Sequence, residues 1–423
     1  MKAKGWSVAL IRPIWAAPLI VLLILGGCDG PDRAASPAMV VPARNYAFQG
    51  VVSEQVLMNY LSRAVSHQTL FTDGDAVLLR DDIRMFKRIG AKFIGRASIV
   101  WTTPDDLDFF FARAAEIAML VHEADKEIIL QGGVFETVDA GVARAAVPAW
   151  VFQDFGRPVE QRNFRYEDML YLDGRYVDFW GPSASVPDIA RLETRMWYYY
   201  LAARYLDSGF EAIHFGVVEI VSENDPGFEA YFDLLDRLRL RASRQARRGL
   251  VLCDAHHNRG VVREGRSLFD FVSYPLRIQE VDEIPRQGRL VVGAGDAIYG
   301  QTIGGLTPSG WPALRLPYLV EVDNWGSSGQ GGVDIGGIWI WGWDEIDWFA
   351  RLREPERNDW LDYAWHWVRE NDSFGRFQFP TRRILADPID DAYYWYYANR
   401  PSPQCQLGFN QEEAMEAIWK ADY

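Results

Sequence analysis

Between about residues 90 and 380 the chain alternates short, continuous apolar runs with longer segments of helical period. The runs are Ala91–Trp101, Glu127–Glu136, Ala212–Glu219, Gly249–Asp254, Leu268–Val272, 317–322 and Arg376–Phe379. A strand that is apolar at successive positions is covered on both faces, and such strands belong to parallel sheets whose crossovers are helices. Amphipathic helices are expected over about 105–124, 187–206, 228–247 and 358–370, with Gly209 as a stop signal. Ser53 heads an earlier helix, a second covers about 80–89, and a short one closes the chain at 411–420. Residues 145–186 read as irregular, and the Tyr/Trp-rich stretch 393–397 as part of a C-terminal tail. Roughly eight strands in a chain of this length, with no glycine-rich first turn, predict a single (β/α)8 barrel over residues 45–423. A doubly wound sheet is the alternative.

Composition removes several functional classes. The net charge of −14 and the lack of a Lys/Arg stripe argue against nucleic-acid binding. There is no P-loop, no dinucleotide fingerprint and no cysteine-based zinc spacing. Neither a cofactor nor a metal is expected. Aromatic residues reach 14%, including 17 tryptophans. Most belong to the core, and the excess suits a cleft whose flat rings stack on the C–H faces of sugars.

The first 28 residues read as an address. Lys2, Lys4 and Arg12 precede an apolar run, Ile14–Leu25, that is too short for a stable membrane span. The run ends in Leu25-Gly26-Gly27-Cys28, which resembles a bacterial lipoprotein signal. The resemblance implies lipidation of Cys28, removal of residues 1–28, and a protein tethered in the cell envelope facing the periplasm or exterior. Residues 29–44 read as a flexible linker. Cys253 and Cys405 remain, as buried thiols or as a disulfide.

In a (β/α)8 barrel the chemistry sits at the C-terminal ends of the strands. Residues flanking the apolar runs at those ends are Arg96, Trp101, Glu136, Asp178, Glu219, Asp254, His256, His257, Tyr274, Glu321, Asp323 and Trp325. So many polar groups beside apolar strands point to a site that binds a polar ligand. Glu219 and Glu321 stand out, because a carboxylate ending a buried strand is costly unless it is paired or lies at a site mouth. Glycoside hydrolysis needs two such carboxyls, one protonated and one ionised.

With Glu219 counted after the fourth strand and Glu321 after the seventh, the pattern resembles the (β/α)8 glycoside hydrolases. In that group the acid/base follows strand four and the nucleophile strand seven. The resemblance implies these roles for Glu219 and Glu321, a carbohydrate substrate, and substrate contacts from the remaining strand-end residues. Val218 stands where that group usually carries an asparagine for the sugar 2-hydroxyl. Two other readings are a non-catalytic carbohydrate-binding lipoprotein and a metal-dependent hydrolase using Asp254 with His256 or His257. The segment 325–343, with Trp325, Trp339, Trp341 and Trp343, is either a sugar platform or a surface loop pinned by core tryptophans.

Overall fold

The computed structural model describes residues 44–70, 76–281, 283–284, 286–326, 332, 340–390 and 393–422. Ser53 caps the first helix, α1 (Glu54–Leu61), accepting from the Val56 N–H. The barrel strands follow: β1 (Ala64–His67), β2 (Phe93–Val100), β3 (Ile129–Val134) and β4 (Ala212–Val217). They continue as β5 (Leu252–His256), β6 (Val272–Pro275), β7 (Tyr318–Glu321) and β8 (Gly375–Ile389). All are parallel, each pairs with the next, and β1 pairs with β8 to close a (β/α)8 barrel. The expected fold class is therefore the observed one.

Helices α2 (Ala76–Ile89), α3 (Leu107–Ala124), α4 (Leu192–Asp207), α5 (Glu229–Gln245), α6 (Glu345–Arg351) and α7 (Glu354–Asn371) lie between strands, and α8 (Glu412–Ala421) closes the chain. Gly209 stops α4 with φ 93°. Two expectations need correction. The first barrel strand is Ala64–His67, whose Ser66 and His67 broke the apolar pattern that marks the other strands. The supposed tail 393–397 is a ninth strand, antiparallel on the long β8.

The two ends of the barrel differ in chemistry. At the N-terminal end, Ala64, Phe93, Ile129, Ala212, Leu252 and Leu319 pack with Leu57, Tyr60 and Leu61 of α1 in a separate apolar cluster. Leu57 and Leu61 are fully buried, each stabilising by about 1.5–3 kcal/mol. Arg44, Arg63 and Arg369 converge on Asp422 at 2.7, 2.9 and 2.6 Å, tying the two ends of the described chain together. Arg44 is thus anchored rather than part of a linker. Residues 1–43, which include Cys28 and most of the expected linker, lie outside the described residues. Cys253 and Cys405 are both buried free thiols.

Candidate active site

The polar end of the barrel is the C-terminal end of its strands, and its floor is an ionic cluster. Arg96 enters it from β2 through an irregularity in the β2–β3 ladder between Ile94 and Ser98. Arg96 has φ 59°, a left-handed conformation that non-glycine residues seldom adopt outside sites that need it. Gly95 makes room for this turn, since a Cβ there would meet Gln378 Nε2 at 2.1 Å. The Arg96 N–H is held by Gln131 Oε1 at 3.0 Å.

The Arg96 guanidinium donates to Glu321 Oε1 and to Asp323 Oδ1. Arg383, from the inner part of β8, donates to Glu321 Oε2 at 2.7 Å and to Asp323 Oδ1 at 2.5 Å. Ser66 donates to Glu321 Oε2 at 2.7 Å, and His256 Nε2 lies 3.2 Å from Oε1. Both oxygens of Glu321 are therefore engaged, and its side chain is 2% exposed. Burial alone would raise its pKa, but Arg96 and Arg383 override that and hold it at about 2. Asp323 is held well below the usual range by the same two arginines against its burial.

His256, Glu321 and Asp323 also approach closely enough to suggest a metal site. Two guanidiniums already occupy and neutralise those carboxylates, so a divalent cation would have to displace two fixed positive charges. The ligand set of the alternative metal-dependent reading, Asp254 with His256 or His257, does not assemble. Asp254 lies inside the barrel, bound to Gln131 at 2.6 Å, Ser273 at 2.7 Å and His214 at 3.0 Å. His257 instead faces Glu219.

Above this floor the rim is open. Glu219 does not end a strand: β4 stops at Val217, and Val218–Val221 form a single helical turn that lifts the carboxyl to the rim. Its side chain is 45% exposed, yet burial of the carboxyl raises its pKa to about 7, with the negative charges of Asp296 and Glu136 adding to the rise. Glu136 is tucked beneath, accepting from the Val217 N–H at 2.8 Å. It fits because residue 216 is glycine, at φ 60°; a Cβ there would fall 1.8 Å from Glu136 Oε2. Burial also raises the pKa of Glu136.

His257 Nδ1 accepts the N–H groups of Arg259 and Gly260 at 3.1 and 3.0 Å. Burial, helped by Arg259, lowers its pKa to about 4. The ring is therefore neutral near pH 7, with its proton on Nε2, which points at Glu219 Oε1 across 3.6 Å.

Tyr274 and Arg277 hold a carboxylate that the strand-end rule missed. Asp296 accepts from the Tyr274 hydroxyl at 2.6 Å and from Arg277 at 2.7 and 2.8 Å. It lies in Gly293-Ala294-Gly295-Asp296, within the connection from β6 to β7 and far from any strand end in sequence. Arg383 was missed because it lies beyond the apolar run of β8, and Ser66 because β1 was not read as a strand.

Aromatic rings flank the rim. Trp101, just past β2 and 38% exposed, lies 5.6 Å from Phe135 and 5.8 Å from Trp180. Trp180 lies 4.8 Å from Phe179. Both belong to the long β3–α4 connection, where Asp178 caps a turn by accepting from the Ser183 N–H at 2.7 Å. Asp178 is therefore a turn residue in the outer loop, apart from the ionic cluster. Beside β6 and β7, Arg277 stacks on Trp325 at 3.5 Å. Trp341 and Trp343 pack on the core, and Trp339 lies outside the described residues.

No family model matches the chain, and no curated protein matches it. Among solved structures it is similar to the native debranching enzyme of Nostoc punctiforme, at 13% identity over 54% of this chain and 53% of that one, with a TM-score of 0.32. The acarbose-soaked form of that enzyme aligns at 11% identity over 89% and 82%, with a TM-score of 0.43. The trehalose-6-phosphate hydrolase of Bacillus licheniformis aligns at 11% identity over 51% and 49%, with a TM-score of 0.30. The chain thus spans about half the length of the first and third of these proteins in their alignments.

Proposed function

We propose that the protein is a glycoside hydrolase in which Glu219 donates the proton to the leaving oxygen. The observation that carries this reading is the contrast among carboxyls at one barrel end. Glu219 titrates near 7, while Asp296 and the Glu321–Asp323 pair stay ionised. Carboxyls whose environments push their pKa values apart are what acid catalysis beside an anion requires. Glu321, the partner suggested by strand order, is enclosed by Arg96, Arg383, Ser66 and His256. In this reading it fixes Arg96 and Arg383 beneath the substrate.

The exposed rings of Trp101, Phe179 and Trp180 support a saccharide substrate, since they offer flat apolar faces next to hydrogen-bonding groups. The leader and its Leu25-Gly26-Gly27-Cys28 ending support a lipid-anchored protein acting on an oligo- or polysaccharide outside the cytoplasm. The test is release of reducing ends from a panel of polysaccharides by the full chain and by Glu219→Gln. Hydrolysis by the wild type and its loss in the variant are expected. Equal turnover by both would refute the assignment of Glu219.

A further inference from the structure

We propose that Asp296 is the catalytic nucleophile that works opposite Glu219. The inference rests on the glycosidase reading, and its grounds are geometric. Glu219 faces His257, and the next residue, Asn258, donates its side-chain amide to the Asp296 carbonyl at 3.0 Å. Two consecutive residues at the end of β5 therefore bind the neighbourhoods of both carboxyls into one rim. Asp296 is near enough to Glu219 to repel its negative charge.

The rival anion is badly placed for attack. Glu321 is 2% exposed and engaged by Arg96, Arg383, Ser66 and His256. A carboxylate so enclosed has no open side from which a sugar carbon could reach it. Asp296 is held by Tyr274, Arg277 and its own backbone N–H, yet 47% of its side chain stays open. Three charge-assisted hydrogen bonds fix its orientation, as an in-line attack requires. Burial would raise the pKa of Asp296, but the bonds from Arg277 and Tyr274 outweigh it and bring the pKa below the usual range. So weak a base is poorly suited to taking a proton from water. The same property makes it a good leaving group from a glycosyl ester.

The reaction then has two displacements. An Asp296 oxygen forms a bond to the anomeric carbon as the glycosidic C–O bond breaks. The released electron pair goes to the leaving oxygen, which takes the Glu219 proton. In the second step ionised Glu219 takes a proton from water, the hydroxyl oxygen bonds to the anomeric carbon, and the Asp296 ester bond breaks. Both carboxyls return to their starting states, water is consumed, and anomeric configuration is retained.

The full chain is to be incubated with 2-deoxy-2-fluoro and 5-fluoro glycosyl fluorides of gluco, galacto and manno configuration, in both anomeric series. These trap a glycosyl ester, and peptide mass mapping locates it. Hydrolysis of the matching aryl glycosides is measured in parallel. A label on the peptide containing Asp296 is expected. Asp296→Asn should lose the label and hydrolyse on the order of 10³-fold more slowly or worse, while circular dichroism at the assay temperature shows it folded. A label on Glu321, or hydrolysis that proceeds unlabelled and with inversion, overturns the assignment of Asp296 and leaves the glycosidase reading standing. No hydrolysis of any glycoside overturns both.

Discussion

Replacing Glu321 by glutamine would convert the best-satisfied carboxylate in the barrel into an amide of the same shape. The carboxylate accepts from Arg96 on one oxygen, which His256 Nε2 also approaches, and from Ser66 and Arg383 on the other. An amide has one oxygen, so its NH2 must point to one of these two sides. Either orientation leaves an arginine facing a donor. It also leaves two buried guanidiniums with Asp323 as their sole carboxylate at this node. Removing one partner of a buried charge cluster costs about 3–5 kcal/mol. The pKa of Glu321 points the same way: burial would raise it, but Arg96 and Arg383 hold it at about 2, so the folded state favours the ionised form.

The folded-state pKa is depressed, so this contribution is complete above the unfolded value of 4.5 and is lost as pH falls toward about 2. Urea unfolding followed by tryptophan fluorescence at pH 7 and at steps down to pH 3 measures it. Glu321→Gln should be about 3–5 kcal/mol less stable at pH 7, with the gap narrowing below pH 4.5. A gap under about 1 kcal/mol, or one indifferent to pH, would refute the description of this node as a saturated charge cluster.

The rim makes its own predictions. In the acid/base reading, kcat/KM should fall as pH rises through about 7, where Glu219 loses its proton. Asp296→Ala should shift the Glu219 pKa downward, because it removes a neighbouring negative charge; titration of Glu219 by NMR reads this without turnover. Trp101→Ala and Trp180→Ala should each raise KM for an oligosaccharide by about 2- to 10-fold with little change in thermal stability, from the usual worth of an aromatic contact. Chelation by EDTA should leave turnover unchanged, because Arg96 and Arg383 hold the carboxylates a cation would need. Cys28→Ser should move the protein from the detergent phase to the aqueous phase if Cys28 carries the lipid.

The barrel was legible because most strands are apolar at successive positions and their helices keep a clear period. β1 was not legible, since Ser66 faces the polar interior and His67, on the other face beside Asp82 and Phe86 of α2, also breaks the run. Arg96, His256, Glu321 and Asp323, named by the strand-end rule, meet in one cluster because they lie on or just past inward-facing strand positions. Asp254, named by the same rule, ends an apolar run in sequence but sits one layer lower, inside the barrel. The rule also read Asp178 as a site residue, although the long β3–α4 connection has many polar residues that serve turns. Asp296 carried no periodic signal at all. Its placement depends on Arg277 and Tyr274 meeting a glycine-rich loop, a tertiary event that local pattern does not encode.

The most direct test of the proton-donor assignment is the leaving-group dependence of kcat/KM for the full chain and for Glu219→Gln. The substrates are aryl glycosides graded from dinitrophenol to unsubstituted phenol. A missing acid hurts poor leaving groups, which need a proton, and spares those that leave as stable anions. The account predicts a loss of about 10²–10⁴-fold on the phenyl glycoside and a small one on the dinitrophenyl glycoside. A uniform loss across the series, or none, would contradict it.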